Sequence, residues 1–182
     1  MEGDILLWIQ EYIRNPVLTP VMKVITTLGN AGMIWILLTI LCLCISKTRK
    51  AGATMALALL FSLIVNNGIL KNAIGRIRPY EVIDGLQCIV GKAVDYSFPS
   101  GHSGSSFAAA VVIAWLFPKK YGIPAILLAA LIAISRLYVG IHYPTDVLFG
   151  VINGTLLGLL AIWWNPFHAE KLGKKTESHG IS

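Results

Sequence analysis

The chain has 182 residues, of which 55% are hydrophobic and only 13% are charged, with a mean hydropathy of +0.70 and a net charge of +6. One domain of this composition is not an ordinary soluble protein, because its apolar segments lack the polar helix faces that water requires. The basic residues form no dense stripe with interleaved aromatic residues, which excludes a nucleic-acid-binding surface. The three cysteines show neither metal-ligand spacing nor a disulfide framework.

The first predicted element is a short amphipathic helix over residues 1–16, which Asn15-Pro16 ends. Its apolar side chains form one stripe that comprises Ile5, Leu6, Ile9, Tyr12 and Ile13. Such a helix lies in the membrane interface rather than crossing the bilayer. The acidic beginning of the chain lacks the basic region of a cleavable signal peptide, so we expect no such signal.

Apolar segments long enough to cross a membrane follow, since about 20 apolar residues span a hydrocarbon core. Residues 17–46 form either one broken span or two elements, because Gly29-Asn30-Ala31-Gly32 interrupts them. Later spans are predicted at about 51–72, 102–118, 121–137 and 145–164. We therefore predict an all-α, polytopic membrane helix bundle with about six transmembrane helices in addition to the amphipathic helix. This bundle occupies residues 17–166, and a polar cytoplasmic tail follows over residues 167–182.

Basic residues predict the orientation of the bundle. One side carries them in short turns and in the tail, namely at Lys47, Arg49, Lys50, Lys119, Lys120, Lys171, Lys174 and Lys175. Such residues favour the cytoplasmic side of a membrane. Three other polar clusters, within residues 71–79, 98–102 and 135–146, therefore fall on the extracytoplasmic face. Charged groups near lipid are costly, so clusters that share one face predict a site that binds an anion at the membrane surface.

The first cluster, Lys71 with Arg78-Pro79, follows the end of one predicted span. Basic residues at a helix end often only extend towards lipid headgroups, so this cluster taken alone is compatible with a structural role. Arg76 fits that structural explanation better than its neighbours do.

The second cluster, Phe98 to His102, opens a helix. Ser100 is the expected N-cap, and the free backbone N–H groups of a helix N-terminus form an anion site. Gly101 would let an anion approach the backbone closely. An ordinary helix cap with a solvated histidine is the alternative explanation.

The third cluster is the strongest of the three. Ser135-Arg136 ends one span, and His142 lies four residues before Asp146. Pro144 begins the next helix, so Asp146 lies in the first turn of that helix. The Asp146 carboxylate could orient His142 and leave one ring nitrogen free for attack. A structural ion pair between Arg136 and Asp146 is the competing explanation, although it leaves the histidine without a role.

Together the clusters resemble the type 2 phosphatidic acid phosphatase superfamily, which includes lipid phosphate phosphatases and vanadium haloperoxidases. The first motif matches Lys71, six residues and Arg78-Pro79; the second matches Pro99-Ser100-Gly101-His102; the third matches Ser135-Arg136, five residues, His142, three residues and Asp146. All three parts occur in order over residues 71–146. A triple match with fixed internal spacing is far more specific than any one part.

The resemblance implies a role for each matching residue. His142 would be the nucleophile that takes the phosphoryl group, Asp146 would hold its reactive tautomer, and His102 would protonate the leaving oxygen and then activate water. The phosphate oxygens would be bound by Lys71, Arg78, Ser100, Gly101 and Arg136. Three cations and a helix N-terminus could supply what Mg²⁺ supplies elsewhere, and no acidic cluster suits Mg²⁺, so we expect neither metal nor cofactor.

The expected substrate is a lipid phosphate or diphosphate in a bacterial plasma membrane, because the lipid tail can stay in the bilayer while the headgroup enters the site. Phosphatidic acid, phosphatidylglycerophosphate and undecaprenyl diphosphate are the candidates. Family members dedicated to undecaprenyl diphosphate often have aspartate where Gly101 stands, which disfavours that substrate without excluding it. The loop over residues 80–96 is expected to select the headgroup.

Two other functions compete with hydrolysis of a lipid phosphate. A haloperoxidase that binds vanadate is disfavoured by the membrane spans. A lipid-binding or transport protein would use the cationic pocket, but it would need neither histidine. Membrane lipids are the expected partners, nucleic acid is not expected, and the sequence predicts no oligomeric state.

Overall fold

The computed structural model describes residues 1–165, and every regular element within them is helical, which confirms the predicted all-α class. The helices are α1 (Glu2–Trp8), α2 (Leu18–Leu28), α3 (Met33–Cys44), α4 (Arg49–Ser62), α5 (Lys71–Ile74), α6 (Pro79–Val82), α7 (Gly101–Leu116), α8 (Lys119–Tyr138) and α9 (Pro144–Trp164). π-Helical turns extend α1 through Ile9–Ile13 and join α4 to α5 through Leu63–Leu70. The predicted tail over residues 167–182, with its three lysines, lies outside the described residues.

Three helical segments in the described part of the chain are long and apolar enough to cross a membrane. They begin at Arg49, Lys119 and Pro144, and α2 with α3 would form a fourth span. α7, which the sequence predicts as a span, is a shorter apolar helix of 16 residues. The predicted number of about six transmembrane helices is therefore not confirmed.

Residues 17–46, which the sequence left open, form two helices bent by 49°. The bend lies at the short 3-10 turn Asn30–Gly32, where Ala31 and Gly32 have φ values of 49° and 70°. Because the chain passes through the left-handed region there, α3 cannot continue the axis of α2. The turn also brings the Asn30 side-chain oxygen to 3.0 Å from Nε2 of His102. The break thus forms one wall of the cavity described below.

Glycines on α9 allow it to pack directly on the backbone of α7. A Cβ atom on Gly150 would lie 2.7 Å from the carbonyl oxygen of Ser100, and one on Gly154 would overlap Gly104. Such small residues let helices approach closely in a membrane. This contact aligns the beginning of α9 with the beginning of α7, where two of the polar clusters lie.

α1 packs on the bundle through Leu6, which is fully buried against Leu86 and Tyr143. Trp8 and Tyr12 remain exposed. The predicted apolar stripe is therefore only partly buried: Leu6 packs against the bundle, whereas Tyr12 faces the surroundings.

Candidate active site

The three polar clusters surround one cavity of about 340 Å³, at the end of the bundle where α8 ends and α7 and α9 begin. Residues from every cluster line it, namely Lys71, Arg78, Gly101, His102, Arg136 and His142. Ser100 and Asp146 are fully buried beside these residues. The structure thus brings all eight predicted site residues together, while their individual roles stay predictions.

His142 lies between partners of opposite charge. Its Nδ1 is 3.4 Å from Oδ2 of Asp146, and its Nε2 is 3.2 Å from Nη1 of Arg78. An arginine N–H can only donate, so Nε2 accepts and the proton resides on Nδ1, directed at the carboxylate. This tautomer leaves a lone pair on Nε2, the nitrogen that faces the cations.

Burial and the neighbouring positive charges keep His142 neutral. Burial lowers the pKa of His142 to about 3, and the positive charges of Arg136 and Arg78 act in the same direction, while Asp146 opposes them. A neutral imidazole is the form that can attack an electrophile. The nucleophile predicted from the sequence is therefore in its reactive protonation state at neutral pH.

Two of the predicted phosphate-binding cations are paired with Asp95. Lys71 forms an ion pair with Oδ2 of Asp95, and Nη2 of Arg78 donates to Oδ1 at 2.5 Å. Arg78 also donates to the carbonyl oxygens of Tyr96 and Ile141, at 3.1 and 3.0 Å. These backbone bonds fix the guanidinium beside the cavity, and the Asp95 carboxylate occupies the position that suits an anionic ligand.

Arg136, the third cation, is 5% exposed and donates from Nη1 to Oγ1 of Thr26 on α2. Among the described residues, its Nε has no hydrogen-bond partner. A buried donor without a partner costs free energy, and an anion in the cavity would supply one. This guanidinium is therefore the cation most available to a ligand.

Ser100 caps α7 as the sequence predicts, because its Oγ accepts a hydrogen bond from the backbone N–H of Ser103 at 3.3 Å. Gly101 follows in the first turn, where an added Cβ would lie 3.0 Å from Oδ1 of Asn67. The N-terminus of a 16-residue helix thus faces the cavity with no side chain at Gly101 to block an anion.

Four residues beside the site were not predicted to belong to it, namely Glu2, Arg76, Asp95 and Ser97. Ser97 donates from Oγ to Oδ2 of Asp146, and Arg76 donates from Nη1 to Oδ1 at 2.6 Å. Arg76 contacts Asp146, whereas Arg78 contacts Nε2 of His142, so the two arginines hold different members of the His142–Asp146 pair. The one available signal was that Arg76 lies two residues before Arg78, and Arg76 was assigned to a structural role.

No group of three or more His, Cys, Asp or Glu side chains suited to a metal ion occurs among residues 1–165. The charged groups at the cavity are instead three cations and one carboxylate, Asp95. Such a donor set fits an anion better than a cation.

Comparisons with known proteins show which family this chain resembles. A family model described as the PAP2 superfamily matches residues 51–170. The undecaprenyl-diphosphatase of Sulfolobus acidocaldarius is 32% identical over 129 residues, which are 71% of this chain and 62% of that protein. The first three curated relatives are matched over 62%, 43% and 53% of their own lengths, so the chain spans about half of those proteins.

Two solved structures share the fold. A PAP2-type phosphatidylglycerolphosphate phosphatase from Bacillus subtilis superposes with a TM-score of 0.75 at 33% identity, over 88% of this chain and 82% of that one. LpxE from Aquifex aeolicus has a TM-score of 0.79 at 24% identity, over 88% and 94% of the two chains. The second likeness concerns the fold alone.

Proposed function

The chain belongs to the PAP2 superfamily, and on that basis we propose that it is a multi-pass membrane phosphatase for lipid phosphates or diphosphates. One observation carries the proposal: His102, His142 and three cations line the same cavity at one end of the bundle. The proposed catalytic domain corresponds to residues 17–166, with residues 1–16 as an interfacial helix. No metal ion takes part in the proposed reaction.

The proposed reaction proceeds through a phosphohistidine. Nε2 of His142 attacks phosphorus and forms an N–P bond, while the bond from phosphorus to the leaving oxygen breaks. His102 takes up the proton that a monoanionic substrate phosphate brings and donates it to that leaving oxygen. His102 then removes a proton from water, which attacks the phosphohistidine and releases inorganic phosphate. Asp146 stabilises the positive charge that develops on His142 in the first step.

Positive charge around the cavity supports phosphoryl transfer. Phosphoryl transfer depends on in-line positioning and on neutralising the equatorial oxygens more than on covalent chemistry by the protein. Lys71, Arg78 and Arg136 would neutralise those oxygens, and the N-terminus of α7 at Gly101 would add backbone donors. The phosphate would displace the carboxylate of Asp95 from the first two cations.

A lipid substrate is favoured by the place of the cavity at the end of a membrane bundle. The apolar tail remains in the bilayer while the headgroup reaches the cations. Similar proteins are named for undecaprenyl diphosphate and for phosphatidylglycerophosphate, which supports this class of substrate. Gly101 stands where members specific for undecaprenyl diphosphate often carry aspartate, so a monophosphate is the favoured choice.

The proposed active site is extracytoplasmic, in the plasma membrane of a bacterium. Arg49 and Lys119 begin α4 and α8 at the ends of these helices remote from the cavity. Basic residues at that end favour the cytoplasmic side, which leaves the cavity on the opposite face.

The proposal is tested by measuring phosphate release from purified wild-type protein and from His142→Ala, with phosphatidic acid, phosphatidylglycerophosphate and undecaprenyl diphosphate as substrates. Wild type should hydrolyse at least one of them in the presence of EDTA, and the variant should lose roughly 10³-fold or more in kcat. Rapid quenching with a radiolabelled substrate should trap label on wild type alone. Full activity in His142→Ala would favour a lipid-binding or transport protein instead.

A further inference from the structure

Arg76 bridges two carboxylates that lie far apart in the sequence. Its Nη1 donates to Oδ1 of Asp146, and its Nη2 donates to Oε2 of Glu2, both at 2.6 Å. The guanidinium carbon also lies 3.8 Å from the centre of the Tyr143 ring. A planar guanidinium group that stacks on an aromatic ring is held in one orientation. The Arg76 guanidinium is therefore fixed by three contacts, to Asp146, Glu2 and the Tyr143 ring.

Asp146 is fully buried, and its two oxygens have different partners. Oδ2 faces the backbone N–H of Tyr143, the hydroxyl of Ser97 and Nδ1 of His142, while Oδ1 accepts from Arg76. Donors on both oxygens set the plane of the carboxylate. Without Arg76 the carboxylate could rotate, and the orientation of His142 would be less well defined.

Glu2 extends this bridge to the first helix. Its Oε1 accepts hydrogen bonds from the backbone N–H and the hydroxyl of Thr145, at 3.0 and 2.7 Å, in the first turn of α9. Further along the same helix, Gln10 donates to the carbonyl oxygen of Gly85 at 3.0 Å. α1 is therefore attached to the turn that carries Asp146 and to the loop that precedes the second motif.

We propose that Arg76 is a positioning residue that, together with Glu2, holds Asp146 and hence His142 in the reactive arrangement, so that α1 forms part of the catalytic unit. This inference rests on the proposed phosphatase function. Arg76 lines a neighbouring pocket with Lys71 and Arg78, but not the cavity that both histidines line. Because its Nη1 is bonded to Asp146, we assign its effect to that carboxylate rather than to the bound phosphate.

The test compares kcat and KM of the full chain, reconstituted in phospholipid nanodiscs with phosphatidic acid, for Arg76→Gln, Glu2→Gln and the double variant. Arg76→Gln should lower kcat by about 10- to 100-fold with little change in KM, as is typical when a supporting hydrogen bond is lost. Glu2→Gln should lower kcat by a smaller factor. In the double variant the second change should add almost nothing, because both residues act through one bridge.

Two further variants sharpen the comparison. Arg76→Lys keeps the positive charge, but a lysine ammonium group has one nitrogen and cannot reproduce the paired bonds of the guanidinium to Asp146 and Glu2. Its kcat should therefore lie between those of Arg76→Gln and the wild type. Glu11→Gln removes an exposed carboxylate from the same helix and should leave kcat unchanged. A rise in KM with unchanged kcat in Arg76→Gln would show direct contact with substrate and overturn the proposal.

A spectroscopic measurement separates this proposal from the phosphatase function itself. In ¹⁵N-histidine NMR spectra, wild-type His142 should show the proton on Nδ1, and Arg76→Gln should show a mixture of tautomers. The same shift is expected even if the wild type hydrolyses none of the lipids. An unchanged tautomer combined with wild-type kcat in the folded variant would reduce Arg76 to a purely structural residue.

Discussion

His142 is held between Asp146 on Nδ1 and Arg78 on Nε2, in a buried site rich in positive charge. These surroundings lower its pKa to about 3, below the usual value near 6.5. Because the pKa of the folded protein is the lower one, the ring stays neutral as the pH falls through the range where an ordinary histidine becomes charged. Protonation should begin only near the lowered pKa.

This protonation behaviour predicts a flat NMR titration. In the protein without phosphate, the ¹⁵N shifts of His142 should stay those of a neutral ring between about pH 8 and pH 5. An unperturbed histidine would be more than half protonated at the lower limit. A midpoint near 6.5 for His142 would contradict the buried, cation-rich surroundings described above.

In the proposed site, Asp95 would compete with phosphate for Lys71 and Arg78, with which it forms ion pairs. Burial would raise the pKa of Asp95, but the hydrogen bonds and charges of Lys71 and Arg78 hold it below its usual value. The side chain therefore remains a carboxylate at neutral pH and pairs with both cations. In the proposed mechanism, an incoming phosphate would have to displace this carboxylate before either cation bound the phosphate oxygens.

Asp95→Asn should consequently bind inorganic phosphate more tightly, by about 3- to 10-fold, since removing a competing charge is worth roughly one pKa unit of interaction energy. Inhibition constants for inorganic phosphate measure this directly. Asp84→Asn, in the exposed part of the same loop, is the matched control and should not change binding. Weaker phosphate binding in Asp95→Asn would mean that Asp95 helps to build the site instead.

The sequence identified the motif residues because their spacing within each motif is fixed. It missed Asp95 and Ser97 because they precede the second motif in a loop. A loop has no regular repeat, so the spacing of its residues does not show which way their side chains point. Arg76 was assigned to a structural role for another reason. A basic residue at a helix end has a sufficient explanation in lipid contact, and only its 2.6 Å bond to Asp146 reveals a second one.

At the scale of the elements, the contact between α7 and α9 determines whether the second and third motifs meet. Gly154 lies against the backbone of Gly104, so a methyl group there has no flexible side chain to displace. The sequence could indicate this contact, since glycine recurs every four residues along α9. The small residues Ser105, Ala108 and Ala109 make α7 a candidate partner, but the sequence does not show that the two helices meet.

Gly154→Ala should therefore lower the free energy of unfolding by about 1–3 kcal/mol, the usual cost of overpacking, and reduce kcat because the beginning of α9 carries Asp146. Thermal unfolding in detergent together with phosphate release would measure both effects. Gly68→Ala is the control, because a Cβ there meets nothing closer than 3.8 Å. Equal effects at the two positions would mean that helix propensity, not packing, causes the loss.

The geometry of the bend between α2 and α3 could not be predicted from the sequence. Gly29 and Gly32 indicate a break, but Ala31 adopts a positive φ, which alanine rarely does. Contacts across the bundle select this conformation, because Asn30 lies against His102 and Gly32 lies near Ser105. Local preferences therefore identified the position of the break but not its geometry.

At the scale of the whole molecule, the cavity and the basic turns lie at opposite ends of the helices. The proposed orientation predicts which end a membrane-impermeant maleimide can reach in intact cells. In a variant with Cys42, Cys44 and Cys88 changed to serine, Asp84→Cys should be labelled directly. Lys119→Cys should be labelled only after permeabilisation.

The reverse labelling pattern would place the cavity in the cytoplasm and contradict the positive-inside interpretation. Labelling of both positions without permeabilisation would indicate damaged cells, which a cytosolic marker protein detects. The fold class was predictable from hydropathy alone, whereas the number of spans was not. α7 shows why: its 16 residues carry the second motif at one end, so part of its length serves the site rather than the bilayer.

The position of α1, between the helix bundle and its surroundings, should make turnover sensitive to the lipid environment. Trp8 and Tyr12 are exposed, while Glu2 on the same helix forms an ion pair with Arg76, which in turn contacts Asp146. Headgroups or detergents that pull these aromatic rings outward would loosen the carboxylate without touching the pocket. Specific activity should then vary with bilayer composition even for a short-chain, freely soluble substrate.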